Sequence, residues 1–547
     1  MLCSHDGFTP LPIGETAPRR GSRFLAAVVL AGLGLGVLAG AAGAETLRWS
    51  RSADALTLDP HAQNDGVSHT ILRQIYETLV SRDASGTLEP LLATEWFVKE
   101  GDPNIWVFKI REGVKFHDGA DLTAEDVVFS LNRVRSELSK LRQLHADVEG
   151  VTAVDDHTVE VRLRGPNLIY PNNLTGSYIL DKGWAEANNV VEVQDYAAGK
   201  DNHAVRNTNG TGPYVLKGRE VGVRTTLTFN PAYWAEEKPQ VTEVQFLPIS
   251  DNATRVAALL SGEVDFVHDV PVQDIQRLQN APGVTVLTGP ENRNIFLGYR
   301  LDDAPLKSSN VTDRNPFADP KVREAVHLAV DRDAIVKVVL RGNGTPTGVA
   351  VPPFVNGWTQ ELSAYEPQDI ARAKDLLAEA GYPDGFTVTL DTPNNRYLND
   401  EAVSQAIVGF LGQIGIKATL ASRPYAQHSP LIVNAQTDLY LFGWGVPTFD
   451  SAYNFNDLWH RREGRYGAFN PSGYANPALD AKIEGLGTET DPEKRNAAIA
   501  EIWDVVKGER LVLPLHDQSI AWALRDGFEA DIRADNSPRA FDFRVSR

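Results

Sequence analysis

The sequence predicts an α/β protein divided into two or three lobes built on mixed sheets, and three observations lead there. At 547 residues the chain exceeds what one hydrophobic core organises. Its 42% apolar and 23% charged content is that of a soluble globular protein. Period-two and period-3.6 patterns then alternate along the chain, as strands and helices do in α/β lobes.

In chain order, residues 106–116 (WVFKIREGVKF) alternate as a strand. Thr123 with Asp126 three residues later has the form of a capping box ahead of a helix over 127–134. Residues 157–165, 225–230 and 241–249 alternate again. Asp319-Pro320 sets an N-cap before a proline at the first helical position, and Val322, Ala325, Val326, Ala329 and Val330 then share one face. A second helix opens at Asp331 or Asp333 and ends near Gly342. Asp491-Pro492 opens another, with Ile499, Ile502, Trp503 and Val506 at helical spacing. Residues 439–442 are apolar and then break into Gly443, Trp444, Gly445, Val446 and Pro447 before Asp450. Such a segment is either a strand ending in a surface turn or a strand delivering a ring and a carboxylate to a binding site.

A formal charge of −19 without a Lys/Arg block argues against a nucleic-acid partner. Cys3 and Met1 are the only sulfur-bearing residues, which removes thiolate metal sites, cysteine nucleophiles and disulfides from the rest of the chain. Arg19, Arg20 and Arg23 precede an apolar run over 24–44 ending Ala42, Gly43, Ala44. That is the form of a cleaved secretory signal, with the mature chain beginning at Glu45. The run is also about long enough to span a bilayer, but it is rich in Gly and Ala and ends in a cleavage pattern. No Cys follows it to take a lipid, so a free periplasmic protein is expected. General secretion fits better than twin-arginine export, since the residues after Arg19-Arg20 match the latter poorly.

There is no G-x-S-x-G elbow, H-E-x-x-H, P-loop or dinucleotide fingerprint after a strand. The 12 histidines are scattered without the paired spacing of a metal site. His61, His69 and His117 read as core or surface residues, and Asp155-Asp156 and Asp302-Asp303 as turns. No catalytic residue, metal or cofactor is assigned, and an enzyme is not expected.

Residues 88–133, LEPLLATEWFVKEGDPNIWVFKIREGVKFHDGADLTAEDVVFSLNR, resemble the most recognisable segment of the family 5 solute-binding proteins of ABC transporters, the dipeptide, oligopeptide and nickel binders. LDPH and IYETLV upstream, GTGPYVL at Gly210, NPAYW at Asn230, RVAALLSGEVDF at Arg255, and the segments from Asp319 and Ala371 match in order. The resemblance covers essentially the whole mature chain. It implies a two-lobed periplasmic binding protein of type II, cluster C-like, with an extra subdomain in lobe I. The expected divisions are a signal over 1–44, lobe I over 45–291 with the insertion at about 78–205, lobe II over 292–514, and a return to lobe I over 515–547. The implied partners are a peptide-like small molecule and an inner-membrane permease, with the protein itself a monomer.

In peptide-binding members the segment matching GWGVPTFD lines the cleft, with a Trp, an Asp three residues on that pairs with the peptide's α-ammonium, and a later Asp. Trp444 and Asp450 match the outer two, and Pro447 stands where the ammonium partner belongs. Proline offers neither charge nor donor. Either Asp450 takes over, or the ligand is not a peptide with a free amino end; an oligosaccharide or an opine-like compound is the alternative. A secreted hydrolase using Asp450 and a nearby acid is a further one. Asp450 reads equally as a cap or turn residue, and Trp444 alternatively as core. Arg396 matches the region where dipeptide binders hold the ligand's carboxylate, with a surface arginine as the other reading. Arg423 and Tyr425 follow a lobe II strand and are weaker candidates. Gly212, with Gly210, Thr211 and Tyr214, is a candidate near the hinge whose role is as easily conformational. Residues 64–68 are expected at the lobe I rim.

Overall fold

The computed structural model describes residues 45–196, 198–464 and 466–546. The apolar N-terminal run and its expected cleavage point lie outside them. Among the described residues no helix is long and apolar enough to cross a membrane.

A single eleven-stranded mixed sheet runs through both lobes. In the part expected as lobe I, Glu45–Arg51 lies parallel to Val241–Pro248 and Phe266–Val267, and Arg224–Phe229 and Tyr214–Glu220 extend the sheet antiparallel. In the part expected as lobe II, Thr387–Pro393, Lys417–Arg423 and Leu439–Trp444 are mutually parallel, joined by helices Asp400–Gln413 and Tyr425–Val433. Two long strands, Val284–Tyr299 and Val512–Arg525, cross between the lobes. Their antiparallel register holds from Val284↔Arg525 to Pro290↔Ser519, breaks, and resumes at Asn294↔Asp517. Residues 291–293 bulge out of the ladder at that break, which re-aims their side chains. The expected lobe I/lobe II division at 291/292 falls in this bulge, and the one at 514/515 in the second crossing strand.

Both faces of the lobe II sheet are covered, as parallel strands require. Alternation along Leu439–Trp444 sends Leu439 and Leu441 into a core with Val403, Ile407 and Leu411. Tyr440, Phe442 and Trp444 face the opposite core, with Ile499, Ile502 and Trp503. A separate four-stranded antiparallel sheet, Ala93–Val98, Ile105–Ile110, Thr158–Leu163 and Val148–Asp155, packs on the helix Ala124–Val134 around Phe108, Val127, Leu131 and Val161. This unit lies within the segment expected as the insertion. A buried ion pair joins it to the rest of lobe I: Arg133 holds Asp59 at 2.6 and 2.9 Å and also donates to the Val190 carbonyl, while Asp59 accepts from the Gln194 N–H. Burial alone would raise the Asp59 carboxyl, but the Arg133 charge and hydrogen bonds bring it down to about 2.

The local signals map closely. Asp319 caps Pro320–Ala329 through the Lys321 N–H, Asp491 caps Pro492–Gly508, and the Asp126 carboxylate accepts from the Thr123 N–H at 2.9 Å. The strand expected over 106–116 is shorter, ending at Ile110, because Gly113 turns the chain at positive φ. The helix expected from Asp331 to Gly342 is a short α turn that widens into a π turn over Ile335–Val339.

Candidate ligand site

A cavity of about 940 Å³ lies between the lobes. Its position follows from connectivity. The chain leaving Thr387–Pro393 runs to the outer strand Lys417–Arg423, whereas the chain leaving the adjacent Leu439–Trp444 goes the opposite way, toward Pro492–Gly508 and the crossing strand. Connections diverging from neighbouring parallel strands leave a crevice at their C-terminal ends. The loops 394–398 and 445–450 edge that crevice.

Trp444 forms part of the cavity wall, stacked on Tyr453 at 5.6 Å between ring centroids and against Phe469 at 5.0 Å. Its Nε1 finds no acceptor among the described residues, so packing alone holds the indole. Arg396 also lines the cavity. The Asp400 carboxylate accepts from the Arg396 and Tyr397 N–H groups at 2.9 and 3.1 Å and shapes the loop, while the exposed guanidinium lies over the Tyr425 and Tyr397 rings. It has no carboxylate partner among the described residues. Tyr425 shares this wall, its N–H donating to the Asn395 side chain. Asn64 and Gly66 line the lobe I side, beside the helix Gly66–Ile75 that Asp65 caps.

Three sequence candidates sit elsewhere. Asp450 is absent from the cavity wall: its carboxylate receives both terminal nitrogens of Arg495, at 2.7 and 2.8 Å, together with the Asn356 side chain and the Ala452 N–H. Both members of the pair are at most 5% exposed, so the acid is consumed by a structural bridge and cannot take over from position 447. Arg423 pairs with Asp391 on the neighbouring strand at 3.0 Å and points away from the cavity. Gly212 is conformational: a Cβ there, or at Gly210, would collide with the Ile75 carbonyl, and His117 closes the same junction through the Gly212 carbonyl at 2.9 Å. Only the adjoining Pro213 reaches the cavity. This close approach is what joins the GTGPY and IYETLV segments.

Several cavity residues carried no usable sequence signal. Glu77, inside IYETLV, accepts from the Tyr233 hydroxyl at 2.8 Å and the Trp234 Nε1 at 3.0 Å; burial outweighs these bonds and pushes it up to about 7. The bulge brings in Glu291, Asn292 and Arg293, and the Asn292 amide exchanges two hydrogen bonds with the Val446 backbone. Arg82, from lobe I, reaches across to the lobe II loop and donates to the Pro447 and Thr448 carbonyls at 3.3 and 3.0 Å, its guanidinium 4.3 Å from the Phe449 ring centroid. The Phe449 ring in turn lies against Gly86 so closely that any side chain there would collide. These contacts tie the two sides of the cavity together. Arg82 is buried and also donates to the Gly86 carbonyl at 2.7 Å and the Asn172 side chain at 2.8 Å, so Arg82→Ala is expected to weaken ligand binding about tenfold and to lower the ligand-free melting midpoint as well. Titration calorimetry beside thermal unfolding checks both halves.

Of the carboxylates on the cavity wall, Glu77 is bonded as above, Glu291 accepts from Gln518 at 2.6 Å, Glu484 from His460, and Asp535 and Asp542 face Arg533; Asp147 is also engaged. Asp457 remains. It sits on the π turn Phe455–Trp459, and burial pushes it up to about 7.

The family described as bacterial extracellular solute-binding proteins, family 5, middle region, matches residues 87–466. The glutathione-binding protein GsiB of Salmonella typhi is 28% identical over 470 residues, covering 84% of this chain and 86% of its own. Among solved structures, AgaA from A. tumefaciens R10 in complex with agropinic acid is 24% identical with a TM-score of 0.74, over 92% of this chain and 99% of that one. The periplasmic binding protein DppA of Helicobacter pylori, in complex with the peptide STSA, is 22% identical with a TM-score of 0.75, over 92% and 98%. At these identities the structures share the fold, and ligand choice has to be argued from the site. The two crossing strands, the cavity between the lobes and the family match over most of the sequence agree: the chain belongs to the family 5 bacterial extracellular solute-binding proteins, the binding components of ABC importers.

Proposed function

We propose that this protein captures a short peptide or amino-acid derivative in the interlobe cavity and hands it to an inner-membrane ABC permease, acting as a free periplasmic monomer after cleavage before Glu45 and turning nothing over. Lobe I then comprises 45–291 and the return from 515, and lobe II the residues between. The observation that carries the reading is the cavity itself, which is of ligand size, walled by aromatic rings, and open to the unpaired Arg396, whose fork suits a carboxylate. Closure of two lobes removes water from such contacts and strengthens them.

Pro447 favours a second reading, a non-peptide ligand such as an opine-like compound or an oligosaccharide. A thermal-shift screen of refolded, ligand-free protein tests both. A ligand at a hundred times its Kd adds about 2.7 kcal/mol. Peptides or amino-acid derivatives are expected to raise the midpoint. A response confined to sugars overturns the peptide reading, and hydrolysis of a ligand during the assay overturns the binding role.

A further inference from the structure

Pro447 stands where the resemblance implies an acid for a ligand's ammonium, and Asp450 is consumed by Arg495. A buried ammonium without a counter-charge is strongly disfavoured, so a site that takes one has to supply an acid from elsewhere. The cavity wall holds one candidate. The Asp457 carboxylate accepts no hydrogen bond and joins no ion pair among the described residues, although every other carboxylate on the wall is engaged.

Its surroundings explain why it can be left so. Phe455, Leu458 and Trp459 pack into the lobe II core, and the His460 N–H reaches back five residues to the Phe455 carbonyl, the widened turn that sets residue 457 apart from its buried neighbours. The backbone of residues 456 and 457 is fixed from the other side by the Gly467 and Phe469 N–H groups, at 2.7 and 3.0 Å. Tyr453, four residues before Asp457, stacks on Trp444, and all three residues line the cavity. A rigidly held, half-desolvated acid with no partner is stored electrostatic cost. Folding does not need it, and a cationic ligand group relieves it.

We propose that Asp457 is the ammonium anchor of this site, shifting the amine end of the ligand from the 445–450 loop to the π turn, and that the ligands are accordingly compounds with a protonated amine beside the Trp444–Tyr453 stack. The inference rests on the reading that the interlobe cavity holds the solute. The class it names is amine-bearing, whether a peptide's amino end or an amino-acid derivative.

The experiment titrates the mature protein, stripped by unfolding and refolding, with an equimolar pool of di- to tetrapeptides, the same pool N-acetylated, and a pool of short oligosaccharides. Asp457→Asn and Asp457→Ser are run beside the wild type, each with its ligand-free melting midpoint. The expected result is binding of the free-amine pool alone, a roughly hundredfold loss of affinity in both variants, and a midpoint equal to or above wild type. A merely structural acid would instead lower the midpoint. Free-amine binding kept in either variant overturns the anchor while leaving the cavity's role intact. Binding of the acetylated pool as tightly as the free one also overturns it, without recourse to any variant. Binding of sugars alone overturns both the anchor and the peptide reading, and no binding by wild type overturns the solute-site reading on which both rest.

Discussion

Asp450→Ala is expected to lower the unfolding free energy by about 3–5 kcal/mol while the folded protein keeps its affinity for ligand. The carboxylate and the Arg495 guanidinium are 4% and 5% exposed and meet through two bonds, so deleting the acid strands a cation where water cannot reach it. The loop itself loses the Asn356 contact and the Ala452 cap in the same step. A double replacement, Asp450→Leu with Arg495→Met, is expected to cost less than either single change, because no uncompensated polar group is left behind. Denaturant titration gives the stability term and calorimetry on the folded fraction gives the affinity. A sharp loss of affinity at unchanged stability would return Asp450 to the ligand.

The second large effect is acid sensitivity. Burial depresses His61, His69, His145 and His516 to about 3 and His268 and His428 to about 4, and lowers His117 and His327 as well. All of these stay neutral in the fold while the unfolded chain takes up protons below about 6.5, so their contribution is intact above that pH and is lost as pH falls through it. Glu77, Asp457 and Asp517, raised by burial to about 7, work the other way. The folded protein binds their protons first and gains stability between pH 7 and about 4. The histidines outnumber them. Each unbalanced proton is worth about 1.4 kcal/mol per pH unit, so a net loss of several kcal/mol is expected between pH 7 and 5. At ~1 kcal/mol per degree for a chain of this size, the melting midpoint falls by several degrees. Thermal unfolding at half-unit pH steps checks this; a midpoint that is flat or rising on acidification contradicts it.

Much of the fold was legible because its signals are local. Asp-Pro caps, the Thr123/Asp126 box and alternating strands depend on residues a few positions apart, and these mapped onto elements within a few residues. The π turns were not legible, since the wider hydrogen-bond step leaves no distinct spacing in so short a run. The site divided along the same line. Trp444, Arg396 and Tyr425 stand at strand ends, where alternation and chain direction already point to a crevice. Asp450, Arg423 and Gly212 share that placement, and what removes them from the cavity is a partner distant in sequence: Arg495, Asp391 and Ile75. Arg82 and Asp457 were missed for the converse reason. One belongs to a three-residue strand whose target lies in the other lobe, and the other looks in sequence like one polar residue in an apolar turn. Its faint mark is an acid set directly before Leu458 and Trp459.

The sheet that passes uncut through both lobes makes the molecule mechanically a leaf spring rather than two bodies on a string. The two crossing strands join its halves, and the break in their register, at 291–293, is also part of the chamber wall. Cargo touching Asn292 or Arg293 therefore loads the flexure directly. On the proposed importer reading, selectivity is then rewritten along the chamber while the outer faces keep their residues.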